Sequence, residues 1–119
     1  MSEWRPAEAD YNLRQLALAR NALDDYLASD RRVGDLGNLV GTLDGLNAAL
    51  EAPDDDWQGR LENELVGLES AYAVHLDRGV KELAPESAQR VEASVGALQG
   101  LVTSARETLE QLSRGRASP

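Results

Sequence analysis

Apolar residues recur along this chain at intervals of three and four, and no stretch alternates with period two, so the pattern predicts helices throughout and no strands. In the first run Leu13, Leu16, Leu23, Tyr26 and Leu27 share a face, with Ala19 and Ala22 filling the gap. A helix from Pro6 to about Ser29 follows, because proline suits the first helical turn. The polar run Asp30-Arg31-Arg32-Val33-Gly34 breaks it. A second helix is predicted from Asp35 or Leu36 to Glu51, with the stripe Leu36, Leu39, Val40, Leu43, Leu46 and Leu50. Pro53 stops it by lacking an N–H and restricting the residue before it. The third runs from Trp57 to about Asp77 with the stripe Leu61, Leu65, Leu68, Tyr72 and Leu76, and Gly79 is placed as a left-handed C-terminal cap.

The fourth run is the most regular. Ala88, Val91, Val95, Leu98, Val102, Ala105, Leu109 and Leu112 follow one another with spacing 3-4-3-4-3-4-3. This predicts a helix from Pro85 to about Ser113, about 42 Å long at ~1.5 Å per residue. Four amphipathic helices with short connections predict an all-α fold, an antiparallel four-helix bundle with a longer C-terminal helix. Residues 1–113 form its single domain, and 114–119 a polar, frayed tail. Leu109 and Leu112 extend past what three shorter helices are expected to cover, which predicts an antiparallel homodimer through that end.

Composition refines the picture. The 119 residues include no Cys, so disulfides, thiol nucleophiles and thiolate metal sites are excluded. There is no Phe, and aromatics make up 4% of the chain, so the core is built of Leu, Val and Ala. Eleven Arg against one Lys, with abundant Ala and Gly, is the composition of a high-GC bacterial genome. No basic, apolar leader and no long apolar span is seen, which predicts a cytoplasmic protein without a membrane segment. Gly37, Gly41 and Gly45 recur every four residues on the second helix, and Gly96 and Gly100 do so on the fourth. Each interior helical glycine costs about 1 kcal/mol relative to Ala. Close helix packing is the expected compensation, and a groove for a partner is the alternative.

Charge is concentrated. Residues 44–69 carry eight carboxylates against the single Arg60, a net charge of −7 out of −9 for the chain. A local field of this kind steers a basic partner and repels nucleic acid. Within the block, Asp54, Asp55 and Asp56 precede a helix, where one acid suffices to cap it. The triplet lacks the Asp-x-Asp-x-Asp-Gly order and the distal Glu of a calcium loop. His75, the only histidine, follows Tyr72 rather than Glu at the di-iron spacing, and no Ser carries a nucleophile signature. It is expected to be packed or partly exposed. No glycine run carries the Lys-Ser/Thr of a phosphate loop.

Trp57-Gln58-Gly59, set between two helices, resembles the Trp-x-Gly turn of the WXG100 secretion substrates, which are helical hairpins of about this size. The likeness covers those three residues and the flanking pattern. That family's Tyr-x-x-x-Asp/Glu export signal lies near the C-terminus, whereas Tyr26 to Asp30 here lies upstream of Trp57, and four helices exceed a hairpin. Trp57 is therefore read as a staple holding the start of the third helix to the bundle. Trp4 is expected to pack on the first helix or to lie exposed.

With an aliphatic interior and no polar set converging on a pocket, no enzyme activity and no cofactor are expected. The reading is a protein-binding module presenting Asp54, Asp55, Asp56, Glu62 and Glu69 to a basic protein partner. Its sharpest version is an immunity or antitoxin-type inhibitor. One alternative is an oligomeric structural or adaptor bundle. Another is a small-molecule- or metal-binding bundle, for which Tyr72 with His75 is the candidate polar pair.

Overall fold

The computed structural model describes the backbone of residues 9–117 and the side chains of 9–112. It contains four helices: α1 (Ala9–Ala28), α2 (Val33–Ala49), α3 (Asp55–Asp77) and α4 (Pro85–Ala117). Each helix packs on the next in the chain and α1 closes the ring against α4, giving an antiparallel four-helix bundle with a longer C-terminal helix. Trp4 and the expected start at Pro6 lie outside the described residues, as do Ser118 and Pro119.

The stripes behave largely as spaced. All six apolar residues predicted for α2 are buried, as are Val91, Val95, Leu98, Val102, Ala105 and Leu109 on α4. In α1 the core row is Asn12, Leu16, Ala19, Leu23 and Tyr26, while Leu27 turns outward. In α3, Leu61, Leu65 and Leu68 are buried, but Leu76 is 57% exposed and His75 is buried in its place. The cause is rotation. Two successive steps of four, Leu68 to Tyr72 to Leu76, each overshoot a helix turn of ~3.6 residues, so the row slides off the core. On α4 the alternation of three and four averages 3.5, so the row stays inward along most of its length.

Leu109 is fully buried, which corrects the expectation that it overhangs. Asp24 accepts a hydrogen bond from Gln99 and so fixes the α1–α4 register. Leu109, ten residues on from Gln99, lies level with Arg14, ten residues before Asp24, and α1 extends past it. Only Leu112 emerges, at 38% exposure, so the row of exposed leucines proposed for dimerisation does not form. The helix itself continues to Ala117, four residues past the expected end. Nothing in Arg114–Ala117 breaks it, and the next proline is Pro119.

The glycine rows do not pack as expected. Only Gly37 meets a neighbour: a Cβ there would stand 2.7 Å from Cε1 of Tyr72. At Gly41, Gly45, Gly96 and Gly100 a Cβ would meet nothing within 4 Å. Four of the five therefore face outward.

The loops at one end are joined. The Val33 N–H donates to the Lys81 carbonyl at 3.0 Å, and Arg32 and Glu82 form an antiparallel bridge. Gly79, at φ +69°, caps α3 as expected, with the Val80 N–H reaching back to the His75 carbonyl at 3.3 Å.

Candidate functional site

The acidic block spreads over α2, α3 and the loop between them. The five candidate carboxylates do three different jobs. Asp54 is the N-cap of α3, and its carboxylate accepts the Trp57 N–H at 2.8 Å. Within the fold its role is to cap the helix. Asp56 pairs with Arg60 at 3.1 Å one turn on. Asp55, Glu62 and Glu69 are spaced by sevens and fall on the other shoulder of α3, the one facing α2. They mark out about 21 Å of helix at ~1.5 Å per residue.

That shoulder is stitched to α2 by polar side chains. Gln58 donates to both Asn47 Oδ1 at 2.6 Å and Glu62 Oε1 at 2.7 Å. Further along, the carboxyls of Asp44 on α2 and Glu69 on α3 come within hydrogen-bonding reach. That hydrogen bond, with smaller contributions from partial desolvation and from the Asp44 charge, holds the Glu69 carboxyl above its ordinary range. Asp44 belonged to the acidic block from the start, but its partnership with Glu69 depends on how α2 and α3 are set against each other. Between Glu62 and Glu69 stands Val66, 58% exposed. The face therefore offers an apolar contact bordered by carboxylates.

The staple reading of Trp57 holds. It is buried, and its indole N–H donates to the Leu101 carbonyl of α4 at 3.0 Å. Tyr72 and His75 part company rather than pairing. Tyr72 lies in the notch at Gly37 on α2. His75 is buried, with Nδ1 2.7 Å from the Ala71 carbonyl and Nε2 accepting the Ala84 N–H at 3.1 Å. These partners fix the neutral tautomer with the proton on Nδ1 and occupy both nitrogens. His75 thus clasps the α3–α4 loop and has no lone pair left for a ligand.

One buried polar residue escaped the sequence reading. Asn12 is 1% exposed, and its Oδ1 accepts the Glu51 N–H at 3.4 Å. Its Nδ2 has no partner among the described residues. The signal was available, since Asn12 precedes Leu16 by four and so continues the core row of α1. Among the described residues no three His, Cys, Asp or Glu side chains group as a metal site needs, and no helix is long and apolar enough to cross a membrane.

Comparison of the chain with protein-family models, with curated proteins and with solved structures found no match.

Proposed function

We propose that the protein is a non-enzymatic binding module that offers the outer face of α2 and α3 to a basic protein partner. The observation that carries this reading is the juxtaposition of Asp44 and Glu69. Two carboxylates on neighbouring helices repel at neutral pH, and nothing in the packing of the bundle requires them there. A lysine or arginine inserted between them relieves the repulsion and gains two charge-assisted hydrogen bonds. Asp55 and Glu62 extend the negative field along the same shoulder, and Val66 supplies the apolar contact. In its sharpest form the partner is a bacterial toxin with a basic site, and this chain is its cytoplasmic immunity or antitoxin-type inhibitor.

The test is a fourfold neutralisation, Asp44→Asn, Asp55→Asn, Glu62→Gln and Glu69→Gln, with the capping Asp54 left intact. Affinity capture with the parent chain supplies the basic partner. Association with that purified partner at low salt is expected to slow by about tenfold or more, and its salt dependence to flatten. An unchanged association rate in low salt would reduce the acidic face to a solubility feature. A second reading, an oligomeric or adaptor bundle, draws on the opposite shoulder of α3.

A further inference from the structure

The shoulder of α3 that faces α4 is open. An elongated furrow runs between the two helices, comprising one hollow of about 670 Å³ and a second of about 450 Å³ that meet at Glu64. Its floor is made of small residues, chiefly Gly67, Ala71, Ala93 and Ser94. At Gly67 a Cβ would meet only Ser94 Oγ, at 3.9 Å, so the backbone is accessible at the middle of the furrow.

Three long charged side chains line it: Glu64 and Arg90 stand on opposite sides of that middle, and Arg60 lies farther out beyond Glu64, paired with Asp56. The helices are antiparallel, and Gly67 stands level with Ser94. Glu64 lies three residues before Gly67, about 4.5 Å to one side at ~1.5 Å per residue. Arg90 lies four residues before Ser94 on the antiparallel helix, about 6 Å to the other side. Neither takes part in an ion pair among the described residues.

We propose that this furrow is the interface of a homodimer whose two-fold axis passes at the level of Gly67 and Ser94. Turning a second copy about an axis lying across the furrow reverses its direction. Glu64 of each copy then comes level with Arg90 of the other, so the same pair forms twice. At Glu64 and Arg90 the face is thus complementary to itself, Arg60 being already paired with Asp56, and the small residues let the helices of the two copies approach closely. The proposal stands apart from the acidic face, which lies on the other shoulder of α3 and stays accessible in the dimer.

Charge exchange tests it. Light scattering of the parent chain at micromolar concentrations is expected to give twice the 12.9 kDa chain mass. Glu64→Arg or Arg90→Glu alone sets like charges against each other twice and should weaken the dimer about tenfold or more. Mixing the two single variants in equal amounts should restore it as a heterodimer, because each then supplies what the other lacks. Circular dichroism checks that each variant folds. Should either charge reversal unfold the chain, Glu64→Gln removes the attraction without adding repulsion and should still loosen the dimer several-fold. A monomeric parent chain overturns the proposal. So does a dimer indifferent to the single substitutions, and so do two variants that remain monomeric when mixed.

Discussion

The two shoulders of α3 belong to one helix, yet they solve opposite problems. Toward α2 the side chains are long and polar, and two of them close the seam: Gln58 crosses to Asn47 and Tyr72 fills the notch at Gly37, while Glu69 and Asp44 set two carboxyls against each other. Toward α4 the residues are small, so the same kind of antiparallel neighbour leaves a furrow. The buried row of a helix decides only where it points. The two positions flanking that row decide whether a seam is sealed, charged or open, and hence what the surface can receive.

The comparison breaks most completely if the shared core fails. Leu98 on α4 is fully buried, and Leu98→Ala should cost about 2–5 kcal/mol. Leu112→Ala, at a 38% exposed position, should cost far less. Thermal melts of the two variants check this, and similar shifts would misplace the α4 row.

The next effect sharpens the contrast through the glycines of α2. Gly37→Ala drives a methyl group against the Tyr72 ring and should destabilise by about 1–3 kcal/mol. Gly41→Ala, one turn along in open space, should stabilise by up to about 1 kcal/mol. Opposite signs in urea unfolding are expected, and equal signs would mean that Tyr72 does not seal the seam.

The smallest effect concerns the acidic shoulder. The proton on Glu69 is held more firmly in the folded chain than in the unfolded one. Its contribution to stability is therefore complete below the unfolded carboxylate range and is lost as pH rises through the raised folded value. Asp44→Asn removes the opposing charge and lets an amide N–H donate to ionised Glu69. The variant should melt above the parent at neutral pH, by less than about 1 kcal/mol in stability. That advantage should shrink in acid. A difference that does not vary with pH would separate the two carboxyls.

Spacing made the helices and most of the core legible, because burial follows rotation about the axis. The 3-4 alternation of α4 placed six of its eight positions in the core, with Ala88 half-buried and Leu112 emerging at the two ends. Spacing was silent wherever the outcome depended on a neighbour. The row Gly37, Gly41, Gly45 lies broadly along one side of α2, yet only Gly37 has Tyr72 opposite it. Leu109 looked unsupported because helix lengths were compared without the register between α1 and α4. The candidate site divided for the same reason. Five carboxylates adjacent or nearby in sequence include one cap, one partner of Arg60 and three along a single shoulder. What joins Glu69 to Asp44 is a distance across two helices, which no one-dimensional pattern contains.

The bridge between Arg32 and Glu82 has a consequence for how the molecule opens. It joins the loop of the first helical hairpin to the loop of the second, so that end cannot splay without breaking the Val33 N–H bond to Lys81. That single amide lies at the edge of both hairpins, and its exchange with deuterium therefore clocks their separation. Slow exchange at Val33 would mean that the hairpins part only on global unfolding. Fast exchange, with the core amides still protected, would mean that the bundle opens there like a hinge while its helices stay intact.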